Sequence, residues 1–164
     1  MVALITFIGW HDSGKTTLAT RVVGELVALG YRLAVIKSTS DAGIAFDTPG
    51  TDTYKHKAAG AESVMLVAPD QIVLQTKNRG LSLYALAHRY FPDVDLVVGE
   101  GFKTEEGIAK IEVRRNLERS LSSQVDGVVA VATDLEGLSG EYVFSLDGAR
   151  EIALFIEKHY LKGL

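Results

Sequence analysis

Nine consecutive residues constrain this chain more than any others: Gly9-Trp10-His11-Asp12-Ser13-Gly14-Lys15-Thr16-Thr17. They match G-x-x-x-x-G-K-[ST], and they stand in the context the pattern needs, with an apolar run Leu4–Ile8 before and a helical stripe after. The stripe is Leu18, Val22, Leu26 and Leu29, closed by Gly30 where a helix C-cap belongs. Gly9 and Gly14 permit the turns that aim successive N–H groups at a phosphate, and the helix N-terminus adds its positive dipole end. On this reading Lys15 reaches the β- and γ-phosphates as a point charge, and the Thr16 hydroxyl is a ligand for Mg²⁺. Residues Gly9 to Thr17 are expected to line a nucleoside triphosphate site.

A second apolar run, Leu33–Ile36, completes a strand–helix–strand unit whose two strands should be parallel. The runs Val64–Val67, Leu96–Val98 and Val128–Ala132 barely alternate, as strands buried on both faces should. Ser63–Val67 and Gln71–Thr76 flank Pro69-Asp70 and predict a hairpin, expected to extend the sheet past its parallel core. Leu83–Tyr90 has helical spacing. Gly148–Leu161 predicts a last helix with Asp147 as N-cap. Lys110–Arg114 sets Ile111 and Val113 among charges and predicts a half-exposed strand. The expected fold class is α/β: a three-layer P-loop NTPase fold, mostly parallel, with an antiparallel hairpin extension, in one domain over residues 1–164.

Composition narrows the function classes. The 164 residues carry 17 Lys+Arg against 21 Asp+Glu, a net charge of −4, which argues against nucleic acid as a partner. With 47% hydrophobic residues and three prolines the chain is not disordered. No apolar run approaches the ~18 residues of a membrane span, so no membrane association is expected. MVALITFIGW lacks a charged leader region and a cleavage site, and zero Cys means no disulfides; a cytoplasmic setting is expected. The four histidines, at 11, 56, 88 and 159, show no metal-ligand spacing.

A P-loop site needs a second acid near the metal, and Glu100, between two glycines after Leu96–Val98, is placed to supply it. Asp47-Thr-Pro-Gly50 matches the D-x-x-G of γ-phosphate-sensing loops, yet Gly43–Phe46 before it is a poor strand and no N-K-x-D follows. Asp134, after a strand, is the nearest candidate for reading a base. Lys55, His56 and Lys57 read as a solvated helix face, and Arg114, Arg115 and Arg119 as surface charge.

Taken in order, Gly9–Thr17, Val35-Ile36-Lys37, Asp47-x-Pro-Gly-x-Asp52-Thr53-Tyr54, Ala59-Gly60-Ala61, Gly99-Glu-Gly-Phe-Lys103 and Lys110-Ile-Glu-Val113 form a recognisable series. It resembles the molybdopterin-guanine dinucleotide biosynthesis protein B (MobB) family over about residues 3 to 115. The resemblance implies a homodimer that binds GTP with Mg²⁺, hydrolyses it weakly and assists a MobA-type guanylyltransferase, which joins GMP to molybdopterin. By position, it implies that Gly14, Lys15, Thr16 and Thr17 bind phosphates and metal, with Glu100 as the acid. It also puts Asp47 and Asp52 near the nucleotide, and has Lys37 and Lys103 present charge to phosphate or pterin groups. One departure stands out: the family's His after Ile-Lys is Ser38 here, and Thr39–Phe46 holds no imidazole.

Two other readings share the scaffold, a small-molecule kinase or ATP-dependent ligase and a purely regulatory nucleotide-binding module. Trp10–Ser13 contains no Arg, and Thr51 rather than Gln follows Gly50, so turnover below about 1 s⁻¹ is expected.

Overall fold

In chain order the elements are β1 (Ala3–Ile8), α1 (Lys15–Ala28), β2 (Leu33–Lys37), α2 (Asp52–Ala58), β3 (Ser63–Val67), β4 (Ile72–Thr76), α3 (Leu83–Tyr90), β5 (Leu96–Glu100), β6 (Ala109–Arg114), β7 (Val128–Thr133), β8 (Val143–Ser145) and α4 (Ala149–Ile156). A π-helical turn, Glu157–Leu161, continues α4. The computed structural model describes residues 2–138, 140 and 142–162. The chain divides into two compact units, one of Met1–Thr39 with Ser82–Leu164, the other Ser40–Leu81.

In the first unit six strands form one sheet in the order β2-β5-β1-β6-β7-β8, every pairing parallel. β1 and β2 are parallel as expected, with β5 inserted between them. Leu18, Ala19, Val22 and Leu26 of α1 and Ile152, Ala153 and Ile156 of α4 bury one sheet face, over Ile5, Phe7, Val98, Ile111 and Ala132. On the other face Leu83 and Ala87 of α3 pack with Ala34 and Val97. Two helical layers therefore enclose the sheet, the three-layer α/β arrangement. Gly30, at φ 96, turns the chain out of α1, and its N–H bonds the Val27 carbonyl at 2.9 Å.

Three local expectations need correcting. Lys110, Glu112 and Arg114 are not half-exposed; all three are buried. The alternation does separate two faces of β6, but the polar face is covered by the connections before and after β6 instead of by water. Lys110 Nζ donates to the Glu105 and Asp126 carbonyls, and Glu112 accepts from the backbone of Leu121 and Ser122. The N-cap of α4 is Gly148, not Asp147, whose carboxylate pairs with Arg21 at 3.0 Å. Val64–Val67 is not a strand buried on both faces: Met65, Leu66 and Val67 are exposed.

The second unit holds α2 and the hairpin. The hairpin forms as expected, but it does not extend the parallel sheet: β3 and β4 pair antiparallel, Ser63 opposite Thr76 and Val67 opposite Ile72, as a two-stranded sheet of their own. Helix α2 is capped by the Thr51 hydroxyl, which accepts from Tyr54 N, and buries no residue, in keeping with a solvated Lys55–Lys57 face.

Candidate functional site

The carboxyl edge of the six-stranded sheet gathers the charged groups. β1 ends at Ile8 and the loop Gly9–Gly14 hands the chain to α1. Gly9 is required by crowding: a Cβ there would meet the Val113 carbonyl oxygen at 2.5 Å and Ser13 Oγ at 2.6 Å. Gly14 is required by conformation, φ 88, as N-cap of α1. With Gly14 in that place α1 has no side-chain cap and no acid in its first turn. Helix α3, by contrast, is capped by Ser82. The N-terminal N–H groups and positive dipole end of α1 are thereby left to an external anion.

Lys15 lies back along this loop, its Nζ donating to the Trp10 carbonyl at 2.7 Å. Burial lowers the Lys15 pKa, against the pull of the Glu100 carboxylate. His11 and Asp12 are almost fully exposed and 3.4 Å apart, and Thr17 is exposed. Ser13 is buried.

Register explains the next contact. Lys37 of β2 pairs with Glu100 of β5, and Glu100 with Phe7 of β1, so both charged side chains leave the same sheet face at its edge. Lys37 Nζ lies 2.9 Å from Glu100 Oε1 and 3.2 Å from Thr16 Oγ1. The Thr16 hydroxyl donates to the same Glu100 oxygen at 2.5 Å. Burial pushes the Glu100 carboxyl up, but the bonds from Thr16 and Lys37 and the charges of Lys37 and Lys15 outweigh it and hold its pKa below the usual value. Thr16 and Glu100 thus offer two convergent hard oxygens. Among the described residues no cluster of three or more His, Cys, Asp or Glu is placed to hold a metal. That donor set suits Mg²⁺, which takes one or two protein oxygens and completes its shell with phosphate and water.

On the other side of β1 the loop after β6 braces the Gly9–Gly14 loop. Arg115 Nε donates to the Ser13 carbonyl at 3.2 Å, and its guanidinium lies 3.5 Å from Asp134. Trp10 Nε1 donates to the Arg119 carbonyl at 2.9 Å. Two cations approach the Trp10 ring, the Lys103 ammonium 5.3 Å from its centroid and the Arg119 guanidinium 5.8 Å from it. A cavity of 170 Å³ opens here, lined by Trp10, His11, Ser13, Arg115, Asn116 and Arg119. The expectation that Arg114, Arg115 and Arg119 are surface charge is therefore corrected for Arg114, which is buried on Glu112; Arg115 and Arg119 are exposed as expected and also contact the loop. The signal was there in three arginines within six residues of a strand tip.

The structure thus brings together Lys15, Thr16, Lys37 and Glu100, with Trp10 and Lys103 paired beside them. Asp47 and Asp52 belong to the second unit. There Asp47 Oδ1 accepts from Thr48 N at 2.9 Å and Thr51 Oγ1 at 2.8 Å. Asp52 opens α2 and pairs with Lys55 at 3.1 Å.

Residues 4–134 match the family described as Molybdopterin guanine dinucleotide synthesis protein B. The Haemophilus influenzae molybdopterin-guanine dinucleotide biosynthesis adapter protein is 32% identical over 167 residues, spanning 99% of this chain and 93% of its own length. The Escherichia coli K12 adapter protein of the same name is 36% identical over 142 residues, 82% of this chain and 80% of its own. The crystal structure of a molybdopterin-guanine biosynthesis protein B superimposes with a TM-score of 0.77 at 28% identity, covering 94% of this chain and 98% of the other. A Bacillus stearothermophilus MobB homologue, 24% identical, shares the fold with a TM-score of 0.73 over 98% of this chain and 99% of its own. These matches favour the accessory-protein reading of the sequence over a kinase or ligase. Matched by the family over residues 4–134 and by an adapter protein along nearly its whole length, this chain belongs to the molybdopterin-guanine dinucleotide biosynthesis protein B (MobB) family.

Proposed function

We propose that this chain is a GTP-binding adapter of molybdopterin-guanine dinucleotide biosynthesis, acting in the cytoplasm beside a MobA-type guanylyltransferase. The observation that carries the reading is the convergence of Lys15, Thr16 and Glu100 at the uncapped N-terminus of α1. In it, the N–H groups of Gly14 to Thr17 cradle phosphate, Lys15 leaves the Trp10 carbonyl for it, and Thr16 and Glu100 hold Mg²⁺. Bound there, the metal neutralises charge on the phosphates. Lys103 and Arg119, both over the Trp10 ring, give the rim a positive charge suited to the phosphate of molybdopterin. Titration calorimetry of GTP and of ATP, with and without Mg²⁺, tests the reading. Lys15→Ala should weaken GTP binding about 100-fold or more, the loss of a charged partner from phosphate, with an unchanged melting temperature. Equal affinity in the variant would refute the site.

A homodimer belongs to the same proposal. The hairpin exposes Met65, Leu66, Val67 and Ile72, apolar strand surface that a second copy would cover. Sedimentation at micromolar concentration should show a dimer; a monomer with and without GTP would refute it.

A further inference from the structure

The two oxygens best suited to a divalent metal already carry a cation. Lys37 Nζ bonds both Glu100 Oε1 and Thr16 Oγ1, at 2.9 and 3.2 Å, on strands whose register fixes the pairing. The neighbouring cations are engaged elsewhere: Lys15 on the Trp10 carbonyl, Lys103 on the Trp10 ring. An ammonium and a divalent ion cannot share those oxygens at about 3 Å without strong repulsion. The Lys37 side chain is 56% exposed against 9% for Glu100, so the lysine can swing out while the carboxylate stays.

We infer that Lys37 is the resident cation of this site and makes divalent-metal binding conditional on a polyphosphate. Resting on the GTP-binding reading above, the exchange works as follows. Without nucleotide the metal must displace a bonded ammonium and gains only two protein oxygens. An arriving triphosphate gives the ammonium another anionic partner and gives the metal further oxygen ligands, so both load together. By linkage, the factor by which GTP tightens the metal is the factor by which the metal tightens GTP. Lys37 acts through Glu100 and Thr16 and is a positioning residue.

Mn²⁺, followed by the loss of its free-ion electron paramagnetic resonance signal, is the probe. Nucleotide-free wild-type protein should bind it weakly, and GTP should tighten it strongly. Lys37→Met should bind Mn²⁺ about tenfold or more tighter without nucleotide, and the enhancement by GTP should shrink by that factor. Lys37→Arg, which keeps the charge, should behave as wild type, and adding Glu100→Gln to Lys37→Met should abolish the gain. A melting curve establishes that each variant is folded, and Lys37→Gln provides the same neutral comparison if Lys37→Met is not. Nucleotide-free Mn²⁺ affinity equal in wild type and the neutral variant overturns the inference. So does tight Mn²⁺ binding by wild type with no response to GTP. Absence of GTP binding to wild type would instead overturn the functional reading, while the nucleotide-free comparison still decides what Lys37 does.

Discussion

Two carboxylates stand on the strands flanking β1, Glu100 at the end of β5 and Glu112 within β6, and the chain treats them differently. Glu112, on β6, is sealed: its side chain is 1% exposed, Arg114 bonds both its oxygens, and the Leu121 and Ser122 N–H groups complete the set. Arg114 in turn bonds the Ser120 and Ser122 hydroxyls. Glu100, on β5, is also buried, but its partner Lys37 reaches in from solvent along a flexible stem. The first arrangement is saturated and has nothing to offer a ligand. The second can be opened by moving one side chain. Burial and a depressed pKa are common to both, so neither separates them; the exposure of the partner does.

The largest effect should come from breaking the sealed pair. Glu112→Ala would leave Arg114 buried without its counter-charge and strand the N–H groups of Leu121 and Ser122, at a cost of about 3–5 kcal/mol. Adding Arg114→Met should recover only part, because the loop N–H groups stay unpaired. Urea unfolding of the single and double variants measures both. A loss below about 1 kcal/mol for Glu112→Ala would place the pair with ordinary surface ion pairs and end the contrast.

Glu100→Gln should do the opposite. The amide is isosteric and can still accept from Thr16 and Lys37, so unfolding should shift by less than about 1 kcal/mol. The dependence of GTP binding on Mg²⁺ should nevertheless fall, because a neutral amide is a poorer ligand for a hard cation. An unchanged magnesium titration would make Glu100 as structural as Glu112.

The fold and the turn from β1 through Gly9–Gly14 into α1 were legible because their signals are local. Gly9 to Thr17 lies between its own strand and its own helix, and Glu100 directly follows Val97-Val98-Gly99 in an unbroken buried run. Glu112 and Arg114 were misread because alternation reports only that two faces differ. What covers Glu112 and Arg114 is a connection up to ten residues further on, and nothing within Lys110–Arg114 announces it. Val64–Val67 was misread for a related reason: a short apolar run looks the same whether or not it is covered, and the hairpin turn at Pro69-Asp70 fixes pairing but not burial. Arg114, Arg115 and Arg119 were visible as a cluster, but the partners of the last two, Ser13 and Trp10, lie about a hundred residues earlier.

The smallest effect, and the finest test of sealed against open, is in acid. For both glutamates the bonds and charges just described outweigh the upward push of burial and hold the folded pKa below the ordinary carboxylate value. A depressed folded pKa contributes stability that is fully present above the unfolded value of about 4.3 and is lost as pH falls through the folded one. Wild type should therefore lose stability on acidification more steeply than Glu100→Gln, which has no proton to take up at that position. The two cases part when salt is added. Lys37 approaches Glu100 from solvent, so raising salt to about 1 M, where the screening length is about 3 Å, should weaken its charge effect and narrow the gap between wild type and Glu100→Gln. Arg114 is enclosed with Glu112, so the acid-induced loss that Glu100→Gln retains should hardly respond to salt. Urea unfolding of both proteins from neutral pH to below 4, at low and high salt, measures this. A gap that salt leaves untouched would mean that Lys37 is held as firmly as Arg114, and the lysine could not then give way to a metal.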